Sequence, residues 1–539
     1  MKIAIIIDSY LIPSWKLETI KILQKQSFIG LEVLCVNFTN NNTKIKKQPS
    51  FSFIEKIYQI ISSLERRLFS AIGPDAFLIQ SLTANSFEKG INFESIGDLY
   101  TYLEKNKTEI VLNLSHNALP SKFNSLSKYG IWEIYSGKTK FSNKFPGLIE
   151  VFKYHKVHTL TLYQILKANS EKNIVYQSYS QVEKINLLKN NNKVFWKVPL
   201  IIHRKVQEIH REEKNTLKLL ENFSIRKQHI FQEVVLILGL LYLVPLRYFQ
   251  FAIRRLKKKI SFNQWILMFN LAPETQKDLN IDFDNFTKII PPKDRLWADP
   301  FVIEKNEEFH IFIEELLFKQ GKGFISHFII DKKGNYTTPK KIIEKEYHMS
   351  YPFLFEDNGH LFMIPETNQN KTIELYKCVQ FPDTWEFVQN IMENIEAVDT
   401  TITFKDNKYW LFTNIREHAG VAFEDELFLY YADSLTSLNW TLHPKSPIKS
   451  DVRVARPGGG FCEVGENMLR PSQNSMYHYG YGLNFSKILE LTPEAYEEEV
   501  IEAIIPDWDP KIVSVHTYNS TGSFTIIDAE LKRWKDLKS

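Results

Sequence analysis

The chain has 539 residues, 44% hydrophobic and 24% charged; that length predicts about three domains at roughly 100 to 200 residues each, and the composition excludes a disordered tail or a polytopic membrane protein. The 67 basic residues are offset by 63 acidic ones, leaving +4, so there is no global field for nucleic acid and no nucleic-acid partner is expected. Cys35, Cys378 and Cys462 lie far apart in the sequence, which fits neither a disulfide framework nor a zinc site and points to a reducing, cytoplasmic setting.

Met1 to Asp8 carries one base and a short apolar run, too short for a signal-peptide core and better read as a buried first strand. The helical pattern Trp15, Leu17, Ile20, Ile22, Leu23 and a second strand Leu31–Val36 follow, a βαβ opening. Ile110–Leu114 is expected as a further parallel strand ending in a polar loop, where open α/β sheets bind ligands. His116 stands in that loop, as a ligand contact or as an ordinary surface histidine. No glycine-rich phosphate loop follows the first strand, so no dinucleotide is expected, and no other cofactor or metal is called for. Residues 37 to 50, rich in Asn, Thr, Lys and Gln, form an exposed excursion.

From about 203 to 228 the sequence is a highly charged helical stretch. Val234 through Leu246 is then uncharged for 13 residues, about 20 Å as a helix and too short for a hydrocarbon layer of about 30 Å. Arg254-Arg255-Leu256-Lys257-Lys258-Lys259 follows at once, the composition of a segment drawn to an anionic membrane surface. The reading is a monotopic or re-entrant anchor, peripheral on the inner face of the cytoplasmic membrane; the alternative is an apolar helix packed between two globular halves.

The second half is all-β, with short alternating segments such as Phe309–Ile313, His360–Ile364 and Tyr409–Phe412 between polar turns. Motifs at Trp297-Ala298-Asp299-Pro300, Ser350-Tyr351-Pro352, Val398-Asp399-Thr400 and Ala455-Arg456-Pro457 recur at intervals of 52, 48 and 57 residues. A period near 50 with several strands per unit predicts propeller blades, five of them when the segment around His516 is added. The organisation expected is an α/β domain over 1–200, a helical apolar and basic connector over 201–265, and a five-bladed β-propeller over 285–539. Aromatics at 14% suit sheet faces and sugar-binding surfaces.

These motifs, with Arg470-Pro471-Ser472-Gln473 and Ser523–Asp528, resemble the N-terminal domain of the glucosamine inositolphosphorylceramide transferase family and, more distantly, five-bladed glycoside hydrolases, the arabinanases and β-xylosidases. The resemblance implies Asp299 as general base and Asp399 as general acid for an inverting reaction. Tyr351 stands where the hydrolases carry an auxiliary Asp, and their usual acid is Glu. The structural alternative is that Asp299 and Asp399 cap inner strands. Arg456 and Arg470, with Gly458-Gly459-Gly460, Gln473 and His516, form the far wall of an anion or sugar pocket or else staple blades through carbonyls. Glu366 supplies a further carboxylate or lies solvated at a rim.

The first 200 residues resemble the formyltransferase fold through Gly130–Gly137 and Pro146–Glu150, with Glu133 at the family's Asn position, Tyr135 at its His position, and Ser170-Glu171-Lys172-Asn173 in place of its Asp. A tyrosine with a pKa of about 10 does not act as a neutral-pH base, so this degenerate site is expected to be inactive for formyl transfer and to bind a nucleotide-sugar or a partner, or to act as scaffold. The functional expectation is a carbohydrate-active protein of cell-envelope polysaccharide or glycolipid biosynthesis, its propeller holding a sugar, a nucleotide-sugar or a lipid-linked glycan and transferring or cleaving a glycosyl group. The alternatives are a non-catalytic glycan-binding module that partners a glycosyltransferase, and a residual sugar N-formyltransferase.

Overall fold

The computed structural model describes residues 1–36, 49–68, 73–82, 90–153, 155–166, 172–212, 220–222, 230–271, 281 and 283–535. Most of the expected 37–50 excursion, residues 213–219 and 223–229 of the charged stretch, and Ser170-Glu171 lie outside them. The chain divides into two compact units, Met1–Phe251 with His418–Val421, and the remainder of Ala252–Ser539.

The first unit is built on an eight-stranded mixed sheet. Gly90–Phe93, Gly30–Val36, Lys2–Ile7, Ile110–Asn113 and Ile131–Ser136 lie parallel in that spatial order, and Val157–Ile165, Lys172–Gln181 and Leu220–Asn222 extend it antiparallel. The first strand shows why its sequence is apolar throughout: Ile3, Ile5 and Ile7 enter one hydrophobic cluster while Ala4 and Ile6 enter another. With side chains alternating, both faces of a central parallel strand are buried. Helix Lys197–Glu212 buries Val198, Ile201, Ile202, Val206 and Ile209 in the same cluster as Ile3. Residues 201–212, assigned above to the connector, thus continue an amphipathic helix of the α/β unit that starts at Lys197.

Helix Ile230–Ile260 carries Pro245 inside it. Val244 and Tyr248 pack on a cluster that contains Ile54, Ile61 and Phe152, and the Tyr248 hydroxyl donates to Glu65 at 2.9 Å. Among the described residues no helix is long and apolar enough to cross a membrane.

The second unit holds five antiparallel sheets of four main strands. Blade one comprises Arg295–Lys305, Glu308–Leu317, Lys322–Asp331 and Lys340–Ile343; blade two runs from Ser350 to Glu393, blade three from Ala397 to Ser450, and blade four from Cys462 to Ile504. The closing blade joins distant parts of the sequence. Ser261–Leu271 pairs with Phe524–Trp534 over its whole length, flanked by Thr287–Ile289 on one side and Ile512–Ser514 and Tyr518–Thr521 on the other. The propeller therefore begins at Ser261, before the expected 285. Ser261–Leu271 carries no blade-opening motif, because it is an inner rung of the closing sheet and not its first strand.

Candidate functional site

The first strands of blades one, two and three lie side by side. Each breaks register at the same point: between Ala298 and Phe301, between Ser350 and Phe353, and between Val398 and Thr401. The residue in each break is left-handed, Asp299 at φ 49°, Tyr351 at φ 43° and Asp399 at φ 51°. That backbone costs a non-glycine residue roughly 1–2 kcal/mol and persists only where the surroundings enforce it; bulges of this kind re-aim side chains. The recurring sequence motif is the signature of this bulge. Carboxylates from the neighbouring blade hold the strained amides, Asp528 accepting from the Asp299 N–H at 2.9 Å and Asp299 from the Tyr351 N–H at 3.1 Å.

Across each break, on the second strand, stands a polar residue: Glu314 opposite Ala298, Glu366 opposite Ser350 and Asn414 opposite Val398. Their intervals of 52 and 48 repeat those of Asp299, Tyr351 and Asp399. Sequence reasoning named Glu366 and missed Glu314 and Asn414, although the matched interval was the signal that finds them.

Asp299 is buried, accepts from Thr517 Oγ1 at 2.8 Å and lies 3.4 Å from His516 Nε2. Burial raises its pKa to about 6 against the pull of His516, with Asp528 and Asp399 adding to the rise. Burial also opposes charge on His516, but Asp528 at 2.7 Å and Asp299 outweigh it and hold the imidazole above its ordinary pKa. Asp299, His516 and Asp528 offer ligand atoms within 4.8 Å of one another, and His516 Nδ1, though close to Asp528, is buried with no hydrogen-bond partner, a donor set of the type that holds a metal ion. Burial drives Glu314 and Glu366 well above the carboxylate range, reinforced at Glu314 by Asp299 and Glu366, and at Glu366 by its hydrogen-bonded neighbour Asp399, with Arg456 opposing. Burial thus favours the neutral form of both glutamates, and both side chains keep 12% of their surface exposed.

Asp399 has the opposite environment. It accepts from Arg456 Nε at 2.6 Å, Arg456 Nη2 at 3.2 Å and Gln473 Nε2 at 2.8 Å, so Arg456 grips it with a bidentate fork. With three donors on its two oxygens, Asp399 is placed as an acceptor, a geometry that suits a proton donor poorly. Arg456 also lies 3.8 Å from Glu366, 3.6 Å from Glu424 and 4.8 Å from the Tyr479 ring centre. Around Arg456 and His516 stand Asp299, Glu314, Glu366, Asp399, Glu424 and Asp528, so the expected anion-binding wall is an acidic pocket.

Three other expectations are corrected. Arg470 points away from this group: its Nε and Nη2 bind Glu498 at 2.8 and 2.7 Å, and Nη2 also donates to Val454 O at 2.7 Å, the staple role. Tyr351 is fully buried and closes the centre, its hydroxyl accepting from the Gly459 N–H at 2.9 Å and bonding Gly459 O at 3.1 Å. The glycine run serves packing: a Cβ on Gly459 would meet Tyr518 O at 1.9 Å, so the closing blade approaches where a ligand was expected. Further along the same strands a separate cavity of about 450 Å³ is lined by Phe301, Phe353, Phe355, Phe404, Tyr409 and Asp357.

In the α/β unit, His116 Nδ1 lies 2.6 Å from Asp8 beyond the carboxyl ends of adjacent parallel strands, with its side chain 76% exposed. Burial opposes ionisation of Asp8, but His116 outweighs it and lowers the carboxyl to about 2. Glu133 accepts from Asn113 at 2.7 Å and from the Tyr163 hydroxyl at 2.5 Å. Tyr135 is buried, and burial holds its hydroxyl above its ordinary pKa.

Residues 290–512 match the family model described as Glucosamine inositolphosphorylceramide transferase 1, N-terminal. Curated relatives named Glucosamine inositolphosphorylceramide transferase 1 include one from Arabidopsis thaliana, 30% identical over 37% of this chain and 26% of that protein, and one from Oryza sativa subsp. japonica, 28% identical over 37% and 27%. The matched part thus spans about a quarter of the relatives' length. Among solved structures, an exo-1,5-α-L-arabinanase from a bovine ruminal metagenomic library overlaps 44% of this chain and 93% of its own at 13% identity with a TM-score of 0.30. A family 117 glycoside hydrolase from Zobellia galactanivorans overlaps 50% and 90% at 10% identity with a TM-score of 0.31. At that overlap no chemistry transfers.

Proposed function

We propose that the propeller is a carbohydrate-active module whose acidic pocket takes a neutral or amine-bearing sugar during glycolipid or envelope-polysaccharide assembly. The observation that carries this reading is the pairing of Glu366, which burial raises well above the carboxylate range, with an Asp399 gripped bidentately by Arg456, in a cluster with more acids than bases. Neighbouring carboxyl groups with pKa values pushed apart are how one site supplies both an acid and a base. Glu366 protonates the leaving oxygen, and Asp299, ionised above pH of about 6, takes the proton of the attacking hydroxyl. Hydroxyl and ammonium donors suit such a pocket and phosphate does not. The relatives carry glucosamine in their name, a sugar of that class. For the α/β unit we propose a supporting part, since Asn113 and Tyr163 occupy Glu133 and Tyr135 is buried.

A second reading, a non-catalytic glycan-binding module, is favoured by the internal hydrogen bonds on both Asp299 oxygens and the 8% exposure of that side chain. Isothermal titration of the full chain with glucosamine, glucose and glucose phosphate tests the pocket, and a panel of aryl glycosides and nucleotide-sugars tests turnover. Glucosamine bound more tightly than the phosphate sugar is expected; the reverse order sinks the reading. Binding without turnover on any substrate selects the second reading.

A further inference from the structure

Helix Ile230–Ile260 leaves large apolar side chains uncovered. Tyr242 is 68% exposed, Phe249 63%, Ile253 37%, Leu256 61% and Ile260 45%. At about 100° per residue these five fall within roughly 60° of one another, a single stripe along more than four turns. Isolated exposed apolar residues are ordinary, but an aligned row marks a surface that something covers. The opposite side of the helix is accounted for by Val244 and Tyr248 in the hydrophobic cluster, Tyr248 bonded to Glu65, and Arg247 Nε donating to Phe152 O at 3.3 Å. The helix Pro49–Leu68, which supplies Glu65, also leaves Ile60 58% and Leu64 49% exposed.

The covering partner is argued from charge. The stripe runs into Arg254-Arg255-Leu256-Lys257-Lys258-Lys259, five cations in six positions, and the helix has no acidic residue after Glu233. A parallel second copy of this helix would bring those cations face to face, whereas an anionic lipid surface neutralises them while its acyl boundary takes the apolar stripe. We infer that this helix lies in the plane of an anionic membrane surface, with Tyr242, Phe249, Ile253, Leu256 and Ile260 in the headgroup and acyl boundary. This moves the membrane-contacting residues toward the C-terminal half of the segment read from sequence as an anchor. It does not depend on what the propeller binds.

The test is co-sedimentation of the full chain with phosphatidylcholine vesicles, with and without phosphatidylserine, at low and high salt. Binding is expected only to the phosphatidylserine vesicles, weakened by salt, and reduced about tenfold or more by Phe249→Glu with Leu256→Glu. Both side chains are exposed, so unchanged circular dichroism and melting temperature would show that the fold is retained. Arg254→Glu with Arg255→Glu is a second route to the same loss, through charge alone. Failure of the wild-type chain to bind either vesicle overturns the inference, as does wild-type binding by the Phe249 and Leu256 variant. A stable dimer in sedimentation velocity, abolished by Leu256→Glu and without vesicle binding, would identify the stripe as a self-association seam instead.

Discussion

Two arginines of the propeller are buried beside carboxylates with opposite results. In blade four, Arg470 and Glu498 are 2% and 1% exposed and form a closed pair, with Lys449 3.4 Å from Glu498 and the Tyr496 hydroxyl donating to it at 2.5 Å. Burial would raise Glu498, yet Arg470 overrides it and the carboxyl stays below its ordinary range. Around Arg456 one guanidinium faces Asp399, Glu366 and Glu424, and burial and the neighbouring Asp399 push Glu366 well above the carboxylate range. The difference teaches that a carboxylate fully enclosed by cations serves as a staple, whereas an arginine shared among three carboxylates leaves acid groups uncompensated.

The comparison breaks most sharply at Arg470. Arg470→Ala strands Glu498 in the interior, and a loss of about 3–5 kcal/mol is expected in urea unfolding; a loss below about 1 kcal/mol would show that the pair is not structural. Next comes pH. Asp299 binds its proton more tightly folded than unfolded, so its contribution to stability is full below pH of about 4 and is lost as pH rises through about 6. Asp299→Asn removes that dependence, and the variant should gain about 3 kcal/mol on the wild type between pH 4 and 7; parallel stability curves would contradict the shift. Glu366→Gln should cut turnover of any substrate found by roughly 100-fold or more. Because burial favours the neutral form of Glu366, the same variant should alter stability by less than about 1 kcal/mol at pH 7, and a larger thermal shift would mean Glu366 is ionised. The smallest effect is expected from Arg456→Lys, which keeps the charge but loses the fork on Asp399, at about 1 kcal/mol.

The sequence carried the blade repeat because the bulge needs a particular short motif, and that motif recurs as Ala298-Asp299, Ser350-Tyr351 and Val398-Asp399. It also placed the parallel strands Lys2–Ile7 and Ile110–Asn113, whose apolar runs have few other uses. It did not separate Arg456 from Arg470. Each precedes a proline, and their roles are decided by partners remote in the chain, Asp399 and Glu498. Glu314 escaped notice because a glutamate in a strand ordinarily faces water, and only its register opposite Ala298 turns it inward. The boundary at 200 cuts helix Lys197–Glu212 because its charges crowd after His203, although Val206 and Ile209 continue its apolar side.

Ser261–Leu271 and Phe524–Trp534 meet along 11 residue pairs to close the ring. On a ribosome adding about 5–20 residues per second, the first of these strands must wait for more than 250 residues before its partner emerges. Asp528 sits on that last strand, and its carboxylate holds the amides of Asp299, His516 and Thr517. The cluster around Asp299 therefore cannot assemble before Asp528 emerges, and a chain stopped short of it would have four blades in place with nothing to lock their centre.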